Sequence, residues 1–174
     1  MKSKRSIFLW VVVAALVIAS ISVMDGCRRD EQVCCPGKGG ISLAFSSLPP
    51  GPLPAVFNVD KVTGIRVYDR IERLGTSLWC LGKQEVPPNS GHWKDAAVML
   101  LFSQLPCRVC LISATVHGHG HEARLLAVQQ DGTTQAAVCP GGKQVLTLQS
   151  TRDNPFTWAI LSGQKAEWFQ FRLQ

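Results

Sequence analysis

The sequence predicts an all-β domain preceded by an N-terminal hydrophobic helix that is either a signal peptide or a transmembrane anchor. Three observations predict it. Residues 7–24 carry no charge and follow a basic start. Beyond residue 55, short apolar runs alternate with clusters of Gly, Pro, Asn and Asp, the pattern of a sandwich or barrel. No stretch keeps a helical apolar period for more than two or three turns. The expected organisation is a leader or anchor over residues 1–26, a Gly/Pro-rich tether with a candidate first strand over 27–54, and a β-sandwich over 55–174.

The leader begins with Lys2, Lys4 and Arg5, followed by the apolar run Ile7–Met24. That run is at the lower limit for spanning a bilayer and slightly long for a signal-peptide core. Basic residues before the run keep the N-terminus cytoplasmic and send the remainder across. Arg28 and Arg29 reduce this asymmetry, and Asp25, Asp30 and Glu31 offset them. Three fates follow. Ser20-Ile21-Ser22 has small residues at the spacing a signal peptidase needs. Met24-Asp25-Gly26-Cys27 is similar to a bacterial lipoprotein box, which would lipidate Cys27. Without cleavage the segment stays as a single-pass anchor. Asp25 and Met24 depart from the lipoprotein pattern, so the plain anchor ranks first. The expected location is the cell membrane or envelope with the C-terminal domain extracytoplasmic, or the periplasm or exterior after cleavage.

The chain has 174 residues, enough for one domain with its own core, and a net charge of +6. No run of Lys or Arg exceeds two residues, so there is no clustered basic face and nucleic acid is not an expected partner. Seven cysteines are many for this length. In an oxidising compartment they pair, and an odd count leaves one out. Cys27 is the natural outlier. Cys34, Cys35, Cys80, Cys107, Cys110 and Cys139 are then expected in three disulfides of open connectivity. Cys107-Arg108-Val109-Cys110 has the spacing of a redox pair or half a zinc site. It leads into a strand-like run instead of a helix, and residues three apart on a strand face opposite ways, so redox pairing is disfavoured. Zinc would need a second CxxC or a His pair at ligand spacing, and the adjacent Cys34-Cys35 are poor geometry for one tetrahedral site.

Taken in order, residues 28–40 read as a polar, Gly-rich tether, and Ile41–Phe45 as a candidate strand. SLPPGPLP over 47–54 is extended and closed to helix by its four prolines. Strands are expected at Gly64–Tyr68, Ser77–Leu81, Ala96–Phe102, Val109–Val116, Ala123–Gln129, Thr134–Cys139, Gln144–Leu148, Thr157–Leu161 and Glu167–Leu173. A single helical turn fits Asp69–Leu74. Reversals are expected at Gln130-Asp131-Gly132, where Asp-Gly is a strong hairpin signal, at Cys139-Pro140-Gly141-Gly142 and at Ser162–Lys165. In the last strand, alternation puts Glu167, Phe169, Phe171 and Leu173 on one side, with the last three facing the core, and Trp168, Gln170 and Arg172 on the other.

The segments VMLLFSQLP, VCLISATVHGHGHEARLLAVQQDGTTQAAVC, KQVLTLQ and TWAILSGQKAEWFQFRL, from Ala97 onward, resemble in their order the galactose-binding-like β-sandwich, a jelly roll. NVDKVTGIRVYD is compatible with that family's opening strand. The resemblance covers about 75 residues well and about 115 loosely, and rests on strands and turns, not on a catalytic motif. It implies a binding module for sugars, lipids or proteins that uses loops at one end of the sandwich. Many such domains hold a structural calcium, whose acidic ligands have no counterpart here.

Candidate site residues are few. His117, His119 and His121 alternate in HGHGH, and on an extended segment would share one side and hold a transition metal, with Glu122 adding an oxygen. The glycines between them point equally to a tight loop that breaks the alternation. His117 or His119 is also a candidate to contact a ligand. Trp79, Trp93, Trp158 and Trp168 are candidates for sugar stacking. Trp93, in the polar loop 82–95, and Trp168, on the outward face of the last strand, lead. The bland alternative is that these rings cap the edges of the core. GxSxG, HExxH, P-loop and GxGxxG motifs are absent from the sequence, and Asp69 with Glu72 is an ordinary surface pair. The sequence therefore predicts a non-catalytic extracytoplasmic binding module with no cofactor. Its expected partners are the membrane, through the N-terminal segment, and a glycan. Two alternatives are a structural protein docking an envelope protein and a metal-binding protein using the His string.

Overall fold

The structure is a computed structural model that describes residues 34–35, 40–68, 70–84 and 93–174. The leader, Cys27 and its lipidation, and Asp69 lie outside the described residues. Of Trp93 only the backbone is described. Among the described residues, no helix is long and apolar enough to cross a membrane.

The described chain is built from strands β1 (Ile41–Leu43), β2 (Gly51–Pro52), β3 (Val56–Val59), β4 (Val62–Tyr68), β5 (Arg70–Leu74), β6 (Ser77–Leu81), β7 (Lys83–Gln84), β8 (Trp93–Lys94), β9 (Ala96–Leu101), β10 (Leu111–His117), β11 (Ala123–Gln129), β12 (Thr134–Cys139), β13 (Lys143–Gln149), β14 (Phe156–Gly163) and β15 (Lys165–Leu173). They form two antiparallel sheets. The first runs β13-β10-β15-β6-β5-β2, with β1 also on β15; the second runs β12-β11-β14-β9-β4-β3. β7 and β8 make a separate two-stranded ribbon. The arrangement is an all-β sandwich.

Its core follows from alternation on each strand. Ile112, Ala114 and Val116 of β10, Leu125 and Ala127 of β11, and Ala159 and Leu161 of β14 are fully buried. The opposite faces of these strands carry the partly exposed residues. Part of the expected tether belongs to this core. Leu43, Phe45, Leu48 and Leu53 are all buried, so residues 41–53 line the sandwich. The expected strand Ile41–Phe45 stops at Leu43, and Phe45–Ser47 form a 3-10 turn that buries the phenyl ring.

Three differences from the sequence reading have physical causes. Residues 70–74 are strand β5, not a helical turn: Ile71 alone is buried, and the flanking charged residues reach solvent from an otherwise regular ladder with β6. Val56–Val59 form a strand that the preceding prolines obscured. In β15, Thr115 pairs with Gln170 but Val116 pairs with Trp168, so Phe169 is the extra residue of a β-bulge. The bulge reverses the phase of the strand. Phe171 and Leu173 point inward as expected. Ahead of the bulge, Trp168 is fully buried and Glu167 faces outward. Phe169, expected in the core, is half-buried with the Lys143 ammonium 4.6 Å above its ring.

Two disulfides close the domain's entry. Cys34 bonds Cys110 and Cys35 bonds Cys107, with Cα separations of 5.8 and 5.0 Å. The CxxC cysteines thus each take one of two adjacent partners and do not pair with each other. Cys80 and Cys139 are buried free thiols, so the expected third bridge is not made.

Candidate functional site

The outer face of the first sheet gathers functional side chains where β10 ends. The ladder places Lys143 opposite His117, His117 opposite Glu167, Glu167 opposite Trp79, and Trp79 opposite Glu72. Residues directly opposite on one face are close enough to touch. One row across five strands therefore brings a cation, an imidazole, two carboxylates and an indole together. Glu167 joins it only because the bulge at Phe169 turned it outward.

The loop after β10 adds a second imidazole. Chain direction reverses within 118–121, where the His121 N–H donates to the Gly118 carbonyl at 2.7 Å. Gly118 also donates to the Gly142 carbonyl at 2.8 Å, and a Cβ at Gly118 would run into the His121 carbonyl. The β12–β13 turn thereby braces this loop. His119 adopts a left-handed φ of +42°, a region few non-glycine residues enter, and Gly120 follows at +82°. The result is a His119 ring folded back over the row. It lies against His117, tilted by 31°, at 3.8 Å between centroids, stacks on Trp79 at 4.9 Å, and its Nε2 lies 3.0 Å from the Glu167 carboxylate.

His117, His119 and Glu167 offer ligand atoms that all lie within 4.8 Å of one another. This is the metal-capable group among the described residues. It keeps two histidines of the HGHGH string and exchanges the others for a residue from β15. The turn breaks the alternation, so His121 is not in the group, and Glu122 pairs instead with Arg124 at 2.7 Å.

The tryptophans separate. Trp79 is half-buried on this face, partly under His119. Trp168, expected outward as a sugar-stacking ring, is buried beside the Cys80 thiol and has no surface to offer. Trp158 is half-buried on the outer face of the second sheet, opposite Leu101 and Val128. Around it that face is apolar: Ala136, Leu126, Ile160, Met99, Ile65 and Val56 stand in one cross-strand row, one residue from each of six strands.

Glu167 was the residue that sequence reading missed. Its signal was a lone carboxylate next to Trp168, and only the β10–β15 register gives it meaning. No family model matches the chain, and no curated protein matches it.

Proposed function

We propose that the chain is an exported, non-catalytic binding module of jelly-roll type that takes its ligand at the His117–His119–Glu167–Trp79 cluster. The convergence of these four side chains from three strands and one braced loop carries the reading. The jelly-roll assignment is supported by strand order. β6-β15-β10-β13 face β9-β14-β11-β12, so successive strands from β9 onward alternate between sheets except at the β11–β12 hairpin. A galactose-binding-like relationship rests on that order and on the segments that suggested it. Export is supported by the basic-then-apolar start and by two disulfides, which persist in oxidising compartments. The chain enters the domain at Cys34, bonded to Cys110 just before β10, whereas the cluster lies at the far end of that strand, about 20 Å away.

Of the candidate sugar-stacking rings, Trp79 is the one in this cluster, and a sugar would have to displace His119 from it. The test is thermal shift of the full chain in detergent against a panel of glycans and divalent ions. A ligand that raises the melting temperature of the parent but not of Trp79→Ala or His119→Asn supports the reading. A panel without any such ligand sinks it. Intact mass of the membrane fraction reports leader cleavage and lipidation in the same preparation.

A second reading is docking of an envelope protein onto the second sheet, favoured by the apolar row from Ala136 to Val56. A photo-crosslinking residue at Met99 should then give one discrete adduct in membranes, with none from Val145 on the other sheet. Equal adducts from both positions would refute docking.

A further inference from the structure

We infer that His117, His119 and Glu167 form a site for one divalent transition-metal ion, with the Trp79 indole as its floor. The inference rests on the reading of this cluster as the binding site and names its ligand.

The donor set fits that class. Two imidazole nitrogens and one carboxylate oxygen suit Zn, Cu, Ni, Co and Fe(II), and do not suit Ca or Mg, which take oxygen ligands. Neutral imidazoles and one carboxylate offset half of a dication's charge. The geometry is close to what an ion needs. Ligands on bonds of about 2.0–2.1 Å around a tetrahedral ion stand about 3.4 Å apart. Here the ligand atoms lie within 4.8 Å of one another, and His119 Nε2 is already 3.0 Å from Glu167. Rotation of the His117 imidazole closes the rest.

The frame around the ligands is built. The β10–β15 ladder holds His117 and Glu167 opposite each other. His119 reaches them only through a left-handed backbone, held by the turn from Gly118 to His121 and by the Gly118–Gly142 hydrogen bond. The placement of this left-handed backbone at a cluster of ligating groups is the kind of outlier that marks a site. The stack on Trp79 fixes the plane of the His119 ring, the role that outer-shell partners have at metal centres. Lys143, the neighbouring cation in the row, is turned to the Phe169 ring. His119 keeps a third of its side chain exposed, so an ion has a path in and a position for water or an outside ligand.

The test uses the full chain in detergent, carrying no histidine tag and stripped with chelator. Zn²⁺ and Co²⁺ titrations by calorimetry and by visible absorption should give one ion per chain, with Co²⁺ bands of a four- or five-coordinate nitrogen/oxygen site. Cu²⁺ should quench part of the tryptophan fluorescence, and Trp79→Phe should remove that part. His119→Asn keeps a residue that tolerates the left-handed backbone, and Glu167→Gln keeps its shape. Each should weaken binding at least 100-fold at unchanged melting temperature, while Arg124→Ala leaves affinity unchanged. No ion bound, or an affinity equal to the parent's in both variants, overturns the inference. If a glycan from the panel still gives a shift that depends on Trp79, the binding-module reading survives that loss; if neither ion nor glycan binds, both fall.

Discussion

Trp168 packs its indole beside the Cys80 thiol at the centre of the sandwich. The indole N–H has no oxygen or nitrogen acceptor and faces the sulfur, and the thiol donates to the Leu161 carbonyl at 3.8 Å. Burial pushes the Cys80 thiol up to about 12 from an ordinary 9.0, against a smaller opposing effect from the Trp168 N–H.

A prediction on alkaline stability follows from this pair. The folded chain holds the Cys80 proton more tightly than the unfolded chain does. Its contribution is therefore complete below pH 9 and is lost as pH rises from 9 towards 12. Within that window the group removes about 1.4 kcal/mol of stability per pH unit. Cys80→Ala should be less stable than the parent at pH 7, because it leaves a small void, and the gap should shrink steadily above pH 9. Urea midpoints between pH 7 and 11 measure it. Parallel curves for the two proteins would show that the thiol is not held in this way.

Phe171 is fully buried next to the bulge, and it pairs with Ala114 on one side and Leu43 on the other. Phe171→Asp removes a ring and buries a carboxyl without a partner, which together cost on the order of 4 kcal/mol or more. Phe169→Asp, one turn of the bulge away, places its carboxylate at the half-exposed surface near Lys143 and should cost far less. Thermal melts of the two variants should differ by more than 10 °C. Similar melting temperatures would mean that the bulge is misplaced and the strand keeps simple alternation.

The disulfides give a prediction about additivity. Cys34–Cys110 and Cys35–Cys107 span 76 and 72 residues and are nested within a few residues of each other. Either bridge alone closes nearly the same loop, worth about 4 kcal/mol in chain entropy. With one in place, the second closes only the short ring between the two. Cys34→Ser/Cys110→Ser and Cys35→Ser/Cys107→Ser should each cost about 2 kcal/mol, while the quadruple variant loses about 6 kcal/mol. Denaturant unfolding of the three variants tests this, and strictly additive losses would contradict it.

How far the fold was readable depended on whether its signals were local. β11 and β12 begin and end where the sequence places them, because Asp131-Gly132 and Pro140-Gly141 fix their ends and Gly132 takes the left-handed φ of +87° that the hairpin needs. β5 was hidden because RIERL has one buried residue among charges, and pairing with β6, not local pattern, makes it a strand. The phase of β15 was hidden because Trp168 and Phe169 are both large and apolar, so either phase satisfies the alternation. The bulge that decides between them arises from the register with β10. The same register explains the candidate site. His117 and His119 are visible as a string, but Glu167 is about fifty residues away and reaches them only across a ladder. Trp79, which supports the His119 ring, is equally remote.

The last prediction concerns the outer face of the second sheet. Val56 is 56% exposed at one end of the apolar row, and Ile65, Met99, Ile160 and Leu126 between it and Ala136 are half-buried. Contiguous apolar surface of this kind is rare on a monomer and binds hydrophobic dyes while the protein is folded. Native full-length protein should therefore enhance ANS fluorescence. Met99→Lys with Ile160→Lys breaks the row at its centre, where each lysine can extend its charged end to solvent past its neighbours. The double variant should lose more than half of the enhancement that the parent gives, with stability changed by no more than about 1 kcal/mol. The measurement is dye fluorescence at a temperature where far-UV circular dichroism shows both proteins folded. Equal enhancement in the two would place the dye elsewhere and show that this row is not the accessible apolar surface of the domain.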